Sequence, residues 1–395
     1  MRILFTSTSY PPAIGGAQLH THRVAVELAR SHHVQVITQW SERRTDWLLG
    51  TTIRAPGTPR DYEIDGIGVR QLGLGTRDKL GLAPHVLAYY LLQGRAIAKI
   101  SSRLLEQIAA RASEPDVVHN GRIGREAISF ASLGLARRLG VPFFLTPFHH
   151  PRWGGWMHRH FLRLYRSADG VVALTQAEKG VLTGLGVREE RIHVAGMGPI
   201  LAPTAEGPRF LGRHGITGPV VLFLGQKYRY KNAAGLLEAT PVVWRDRPET
   251  CFVFLGPRTR YSRRLFGSVR DRRIVELDAV DLQEKTDALA ACDLLCLPSS
   301  QESFGGVFVE AWMMGKPVIG ARIPAVAEVI SDGKDGVLTD PTGRGIADAV
   351  LAILGDPSAA LAMGRAGKAK AEARFTWGRI AATIEAAYAT ALAGR

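Results

Sequence analysis

The sequence has few of the features that mark secreted or membrane-spanning proteins. Its 395 residues include three cysteines, an odd and low number that argues against a disulfide framework and predicts free, buried thiols in a reducing compartment. The start, MRILFTSTSY, leads directly into an apolar run, so we expect no signal peptide. No uninterrupted run of about 20 apolar residues occurs, since the longest candidate, 80–92, is interrupted by Pro84 and His85. We therefore expect a location in the cytoplasm, either free or at the inner face of the membrane.

Motifs for common cofactors are missing as well. Gly-x-Gly-x-x-Gly does not follow the first predicted strand, which disfavours an NAD-dependent dehydrogenase. No Asp-x-Asp pair stands at a predicted strand end to hold Mg²⁺ on a diphosphate. Cys292 and Cys296 lack the second pair of ligands that a zinc site needs. The sequence therefore predicts a protein without a metal site or a resident cofactor.

Positive charge is in excess and unevenly distributed. The formal net charge is +14. Residues 1–200 contain 25 Lys and Arg against 15 Asp and Glu, whereas residues 201–395 contain 25 against 21. A basic first half favours an anionic membrane surface, a phosphorylated acceptor or nucleic acid as partner, and composition does not choose among them.

Apolar runs alternate with helical patterns through the first half. The order strand, helix, strand implies a parallel sheet with helices on its faces. Residues 41–83 are polar and glycine-rich and are predicted as loops with a short strand near 68–72. Predicted strands cover 2–8, 33–38, 115–119, 141–147 and 170–175, and predicted helices include 84–112 and 124–139.

A second series of strands and helices follows residues 200–219, whose prolines and glycines are typical of a linker. We therefore predict an α/β chain of two Rossmann-like domains that face each other, with the ligand in the cleft at the carboxyl ends of the strands. Predicted strands in this half cover 220–225, 250–256 and 273–277, and three closing helices lie near 345–355, 357–373 and 376–393.

The stretch 297–320, LPSSQESFGGVFVEAWMMGKPVIG, is the most informative part of the sequence. A glycine-rich turn that opens a helix suits a phosphate, because free N–H groups and the positive helix end meet there. Glu310 falls about a turn and a half into that helix, where a carboxylate can accept hydrogen bonds from a ribose diol. Glu302, on the turn, can face the other end of the same ligand. The stretch predicts a sugar-nucleotide site; the alternative is a surface turn with two solvated glutamates.

Other strand ends carry groups suited to the same ligand. Gly15 and Gly16 open the first helix, where a tight turn is the alternative. Lys227 and Lys231, in GQKYRYKN (225–232), could meet a diphosphate at a helix start, where solvated loop residues are the alternative.

Four polar residues follow strands of the first half and would face the cleft, three of them on its acceptor side. One of them is His149, which follows the strand 141–147, and a structural role is the alternative for either histidine at this strand end. The other members of this group are His119, Asn120 and His150.

Aromatic and basic residues are interleaved in 151–166, from Trp153 and Trp156 to Arg163. This combination suits a membrane interface or stacking on nucleic acid, and an ordinary amphipathic helix is the alternative.

Several of these motifs resemble one family. ESFGGVFVEAWMMGKPVIG is similar to the E-x7-E segment of nucleotide-sugar glycosyltransferases with the GT-B fold, in particular family 4 of the retaining enzymes. SYPPAIGGAQLHTHRVAVELAR resembles their first strand-to-helix loop, and ACDLLCLPS and ARFTWGRIAATIEAAYATAL extend the resemblance over nearly the whole chain. It implies metal-independent transfer of a hexosyl-type sugar, with retention, from a UDP- or GDP-linked donor to a glycan, lipid-linked or small-molecule hydroxyl. It implies no nucleic-acid partner.

The resemblance also implies roles for domains and residues. Residues 1–199, with the terminal helix of about 376–395 crossing back to them, would bind the acceptor, and residues 200–375 the donor. His149 would be the histidine near the donor sugar and the acceptor, with His150 as the alternate. His149 and Glu302 would be catalytic. The donor-binding set would be Gly15, Gly16, Lys227, Lys231, Glu302, Ser303, Phe304, Gly305, Gly306, Val307 and Glu310.

The chain departs from the family pattern at two places. Gln226 stands where the family usually has an arginine, and the loop 321–330 lacks a common Gly-Gly pair. The alternative functions are a nucleotide-sugar 2-epimerase, which shares the fold but needs no acceptor, and a non-catalytic, basic membrane-binding protein.

Overall fold

The computed structural model describes residues 1–13, 15–40, 48–122, 127–149 and 156–394. The chain divides into two compact units. The first consists of Met1–Gly196 and Trp377–Arg395, and the second of Met197–Thr376.

The described residues of the first unit form a sheet of eight strands in the order β3-β4-β2-β1-β5-β6-β7-β8. Only β3 runs antiparallel to its neighbour. The predicted parallel sheet is therefore confirmed for this half. The strands are β1 (Arg2–Ser9), β2 (His33–Trp40), β3 (Arg60–Ile64), β4 (Ile67–Gln71), β5 (Val117–Gly121), β6 (Phe143–Thr146), β7 (Gly170–Ala173) and β8 (Ile192–Val194).

Helices cover both faces of this sheet. Successive residues of a strand point to opposite faces, so Leu4 joins the core on one face while Ile3 and Phe5 join the core on the other. Because both faces are covered, inner strands such as β6 (FFLT) and β7 (GVVA) are mostly apolar, whereas the edge strand β3 (RDYEI) is polar and largely exposed. The helices before the linker are α1 (Gly16–Leu28), α2 (Thr76–Leu87), α3 (Gln93–Ala109), α4 (Ala127–Leu139), α5 (Arg159–Ser167) and α6 (Gln176–Gly184).

The second unit contains a six-stranded, wholly parallel sheet in the order β11-β10-β9-β12-β13-β14. Its strands are β9 (Val220–Leu224), β10 (Cys251–Leu255), β11 (Ile274–Leu277), β12 (Leu294–Leu297), β13 (Val318–Ala321) and β14 (Val337–Thr339). Its helices are α7 (Gly207–His214), α8 (Ala233–Asp246), α9 (Arg260–Phe266), α10 (Leu282–Ala291), α11 (Gly306–Met313), α12 (Pro324–Val329), α13 (Gly343–Gly355) and α14 (Pro357–Arg374). The three cysteines are free and buried, as predicted.

The last helix, α15 (Trp377–Ala393), belongs to the first unit. Ile380, Ile384 and Tyr388 lie on one side of it, at helical spacing, and are fully buried in the core that contains Phe5 and Phe144. The terminal helix thus returns to the first unit, as the resemblance implied.

The predicted helix 84–112 is wrong in its extent. The structure has two helices there, α2 and α3, separated by a turn in which the N–H groups of Leu91 and Leu92 both donate to the carbonyl of Ala88. A straight helix of that length would run about 40 Å. The reversal instead lets Val86 of α2 and Ile97 of α3 face the same core.

Three other expectations change in detail. Residues 48–83 contain β3, β4 and most of α2 rather than mainly loops, while 41–47 lie outside the described residues. The predicted linker contains α7. β5 extends to Gly121 instead of ending at His119.

Among the described residues, no single helix has the length and apolar character to cross a membrane. One bent pair, 343–355 with 357–393, meets those criteria together across a 100° bend.

Candidate functional site

The predicted strand, turn and helix at 297–320 are present as β12, a polar turn and α11, followed by β13. Gly305 precedes α11 in the left-handed conformation, with φ +86°. A Cβ there would lie 2.5 Å from the ring of Phe308. Both the backbone conformation and this close contact therefore require glycine. The N-cap of α11 is this glycine, which has no side chain to bond to the first N–H groups of the helix. The positive end of α11 can therefore face an anion.

Glu310 lies on α11 with only 5% of its surface exposed. Its Oε1 accepts hydrogen bonds from Nζ of Lys285, at 2.9 Å, and from the N–H of Ile200, at 3.3 Å. Nζ of Lys285 also donates to the carbonyl of Ile200 at 2.6 Å. Oε2 of Glu310 is buried and has no hydrogen-bond partner in the described part of the chain. One oxygen is thus fixed, and the other can accept hydrogen bonds from a ligand.

Lys231 and Glu302 form an ion pair at the ends of two neighbouring strands. Lys231 ends a 3-10 turn after β9, and Glu302 lies on the turn after β12. The N–H of Ser300 donates to the carbonyl of Tyr230 at 2.8 Å and ties the two turns together. Both charged side chains are mostly buried, so the structure brings together two residues that the sequence predicted separately for one ligand.

Lys227 does not join this group. Its side chain is fully buried, and Nζ donates to Glu276 at 2.5 Å and to the carbonyls of Gly256 and Leu277. Burial lowers the pKa of Lys227, and the bond to Glu276 acts against that shift. These contacts hold the carboxyl ends of β9, β10 and β11 together, which corrects the expectation that Lys227 meets a ligand.

Phe304 also has a packing role, because it is 2% exposed and its ring meets that of Phe375 edge to face at 5.3 Å. Gly306, Ser303 and Val307 are half-buried around the start of α11, and Gln226 is half-buried after β9.

In the first unit, Gly16 begins α1 at an open position. Gly15 precedes it with an extended backbone, φ −176°, and no side chain of the described residues caps the helix. A Cβ at Gly16 would meet no atom of the described residues within 4 Å, whereas one at Gly15 would meet the flexible side chain of Gln18. The start of α1 is therefore a second helix end whose N-cap is a glycine.

His149 follows β6 and is 8% exposed. Its N–H donates to Oε1 of Glu178 at 2.6 Å, and its Nδ1 lies 3.5 Å from the hydroxyl of Tyr165. Glu178 also accepts from the N–H of Leu174 at 2.8 Å. Burial raises the pKa of Glu178 to about 7, although both backbone hydrogen bonds act to lower it. The position of His149 is thus set by a carboxylate from α6. His150 lies outside the described residues.

His119 and Asn120 lie inside β5 and not beyond it, which corrects their expected place on a ligand surface. Nε2 of His119 bonds to the hydroxyl of Thr146 at 2.7 Å, and Nδ1 bonds to the hydroxyl of Tyr388. Burial lowers the pKa of His119 to about 3. Asn120 donates to the carbonyl and hydroxyl of Thr6 within the sheet.

Sequence reasoning missed Lys285 and Glu178. Glu178 had a local signal, because Thr175 and Glu178 have the spacing of a helix capping box and the N–H of Glu178 donates to Oγ1 of Thr175 at 3.0 Å. Lys285 had no such local signal, since only the fold brings α10 beside α11.

No group of three or more His, Cys, Asp or Glu among the described residues is placed to hold a metal ion.

Comparisons with known proteins agree with this architecture. Residues 15–198 match the glycosyl transferase 4-like domain, and residues 218–356 match glycosyl transferases group 1. The chain is 26% identical to a glycogen synthase of Mycobacterium tuberculosis, over all of this chain and 96% of that protein. It is 30% identical to a D-inositol 3-phosphate glycosyltransferase of Segniliparus rotundus, over 59% of this chain and 54% of that one.

Solved structures share the fold at low identity. HepE of Anabaena, in complex with UDP-glucose, superposes with a TM-score of 0.77 at 19% identity, over 99% of this chain and 100% of that one. Sucrose-phosphate synthase of Thermosynechococcus elongatus gives a TM-score of 0.75 at 18% identity, over the full length of both chains.

The chain has two α/β units, each built on a mainly parallel sheet. In the second unit, a helix that begins at a glycine carries a buried glutamate. Together with the comparisons, these features identify a GT-B glycosyltransferase. The chain belongs to family 4 of these enzymes, which transfer a sugar from a nucleotide sugar. The family to which the sequence motifs pointed is confirmed.

Proposed function

We propose that this enzyme transfers a hexosyl-type sugar from a UDP- or GDP-linked donor to an acceptor hydroxyl, with retention of anomeric configuration and without a metal ion. One observation carries the proposal: the buried Oε2 of Glu310, which has no partner among the described residues, on a helix whose N-cap is a glycine. In the proposal this oxygen accepts from the ribose diol, and the start of α11 faces the phosphates.

Positive charge at the leaving diphosphate would come from protein groups. Lys231 and the start of α11 lie in the same unit and at the ends of the adjoining strands β9 and β12. Together they can stabilise charge that develops on a leaving phosphate, which is the task of a metal ion in other enzymes. Glu302, paired with Lys231, would hold that lysine in place and accept from the donor sugar.

The first unit would bind the acceptor. We propose that His149 contacts the sugar and the acceptor hydroxyl, while Gly16 and Gly15 offer bare backbone to a donor phosphate. The carboxylate of Glu178 fixes the backbone of His149, which supports a positioned histidine. Retention needs no protein nucleophile in this proposal, because the leaving phosphate can take the acceptor proton.

Thermal shift against a panel of UDP-, GDP- and ADP-sugars tests the donor half. A ligand that binds only the folded state raises its melting temperature. UDP-glucose is the first candidate, because the Anabaena neighbour binds it. Glu310→Gln should weaken donor binding by about tenfold or more, since a charge-assisted hydrogen bond is lost. Glu249→Gln, at an exposed glutamate of the same unit, should bind as the parent does. Equal shifts in both variants would refute the role of Glu310.

Product analysis tests the reaction. With the donor identified, NMR of the product should show the anomeric configuration of the donor, at the same rate with and without EDTA. An inverted product, or loss of activity in EDTA that added Mg²⁺ restores, would contradict the proposed mechanism. Donor turnover that yields no second sugar-containing product would favour a 2-epimerase.

A further inference from the structure

The corner between α2 and α3, residues 80–92, exposes several large apolar side chains. Leu87 and Leu91 are 85% and 84% exposed, Leu80 is 69% exposed and Tyr90 is 53% exposed. Exposed leucines are common singly, but a group this close together marks a surface that another body covers.

Both sides of this corner are apolar. Leu82, Val86 and Tyr89 point into the core of the first unit and are buried. Leu80 and Leu87, seven positions apart, lie together on the other face of α2, where a surface helix normally carries polar residues. Packing among the described residues of the unit therefore accounts for one face of α2 and not for the leucine face.

Basic residues outnumber acidic ones in the segment that carries the leucine face. In the stretch 76–105 the only acidic residue is Asp78, against five Lys and Arg. Asp78 pairs with Arg103 at 2.7 Å, while Arg95 and Lys99 are exposed on the first turns of α3.

A 3-10 turn, Trp156–His158, and the helix α5 that follows it lie beside α3. A Cβ at Gly94 of α3 would lie 3.0 Å from the ring of His160, so the two helices touch there. Trp156 is 57% exposed, with the guanidinium of Arg159 3.8 Å from the centre of its ring. Arg163 is exposed, and residues 156–167 contain no acidic residue. The exposed apolar and basic side chains thus lie on elements that contact one another, and together we call them the patch and its basic rim.

We propose that this patch docks the first unit on an anionic lipid bilayer. Leu87, Leu91 and Trp156 would enter the boundary between headgroups and acyl chains, while Arg95, Lys99 and Arg163 would meet lipid phosphates. The rim charge decides against a second copy of this chain, because self-association through the patch would bring two basic rims together. The proposal rests on this surface and does not depend on the proposed sugar transfer.

Flotation with vesicles tests the proposal on the full chain. Vesicles of equal parts phosphatidylglycerol and phosphatidylcholine should carry the protein, and pure phosphatidylcholine should carry much less. Leu87→Asp with Leu91→Asp should lower the bound fraction by about tenfold or more, because apolar insertion is lost. Leu361→Asp, at a leucine 55% exposed on α14 of the second unit, should not.

A pair of charge variants tests the rim. Arg95→Glu with Lys99→Glu should abolish most binding, whereas Arg263→Glu with Arg264→Glu, an equal change of net charge on exposed residues of α9, should retain it. About 1 M salt, where the Debye length is about 3 Å, should weaken binding of the parent.

Three results would overturn the proposal. These are no binding of the parent to anionic vesicles, unchanged binding of the leucine variant, or equal losses in both charge variants. A parent dimer in light scattering that the leucine substitutions convert to a monomer, without vesicle binding, would assign the patch to self-association. The leucine variant should keep the parent's thermal shift with nucleotide sugar, so failure of the donor site would be seen separately.

Discussion

Two lysines four residues apart illustrate how burial separates roles at the scale of single residues. Lys227 is fully buried, and its ammonium bonds to Glu276 and to two carbonyl oxygens. Lys231 keeps part of its surface exposed and pairs with Glu302, beside the helix that carries Glu310. The same residue type, in one loop, thus supports the sheet in one case and faces the candidate site in the other.

Replacement of each lysine by methionine should separate these roles. Lys227→Met should lower the free energy of unfolding by about 3 kcal/mol, because it removes one partner of a buried charge pair. Lys231→Met should cost less stability but weaken nucleotide-sugar binding by about tenfold or more, since a charge-assisted bond to phosphate is lost. Urea denaturation and titration of the donor would measure both. A larger loss of donor affinity in the Lys227 variant, at equal folded fraction, would contradict the assignment.

At the scale of elements, two helices begin at glycines for different reasons. Gly305 adopts a left-handed backbone beside the ring of Phe308, so the start of α11 depends on it. A Cβ at Gly16, the first residue of α1, would contact none of the described residues, so their packing does not require glycine there. A requirement at Gly16 would therefore come from a ligand that approaches the backbone.

Alanine substitutions distinguish the two cases. Gly305→Ala should destabilise the protein by about 1–3 kcal/mol through backbone strain and the contact with Phe308. Gly16→Ala should leave stability unchanged or raise it by up to about 1 kcal/mol, because alanine favours the helix. It should nevertheless reduce the thermal shift caused by the donor. A full donor shift in Gly16→Ala would remove this glycine from the binding site.

Packing of α2, α3 and α5 against one another also brings together the apolar and basic residues of the proposed patch. The sequence interrupts the run 80–92 with a proline and a histidine, which argued against a membrane span. The turn after α2 leaves the leucines of that run exposed, and the following helix α3 contacts a basic segment some 70 positions later. Their combination into one surface depends on the contact between Gly94 and His160.

At the scale of the whole molecule, the last helix completes the first unit through a buried histidine. His119 of β5 bonds to Tyr388 of α15, and His20 of α1 packs edge to face with Trp377 at the start of that helix. Burial lowers the pKa of His119 to about 3 and that of His20 to about 4, from the ordinary 6.5. Both histidines are therefore neutral in the folded state at neutral pH.

Stability should fall on acidification for this reason. Between about pH 6.5 and their folded pKa values, these histidines bind protons in the unfolded chain but not in the folded chain. Each can therefore reduce the free energy of unfolding by up to about 1.4 kcal/mol per pH unit of acidification. The raised pKa of Glu178 acts in the opposite sense between its ordinary 4.5 and about 7. The change of the parent's free energy of unfolding with pH therefore combines several groups. Variants that each remove one group show the contribution of that group.

Urea denaturation between pH 7.5 and 5 would measure the effect. His119→Gln should be less stable at pH 7.5 but lose less stability on acidification than the parent. Thr146→Val removes the hydroxyl that bonds to His119 and keeps the titrating ring, so it should lower stability and retain the pH dependence. If the free energy of unfolding of His119→Gln changed with pH as much as that of the parent, His119 would not be the source of the pH dependence.

The elements and the donor motif could be predicted because their signals are local. A parallel strand that is buried on both faces consists mostly of apolar residues. Continuous apolar runs therefore predicted β9 and β10, and the apolar start of β1 predicted that strand. The glycines and the two glutamates around α11 lie within one short stretch whose spacing follows helix geometry. Their family was recognisable for the same reason.

Tertiary structure alone decided which charged groups meet. Lys285 reaches Glu310 because α10 packs beside α11, and Glu178 reaches the backbone of His149 because α6 starts beside the end of β6. The burial of Lys227 and His119, which gives both a structural role, likewise depends on distant chain segments. Sequence patterns specify which residues lie in a strand or helix, since those preferences are local. The solvent exposure and charge partners of a side chain depend on segments far apart in sequence, and these determine its chemistry.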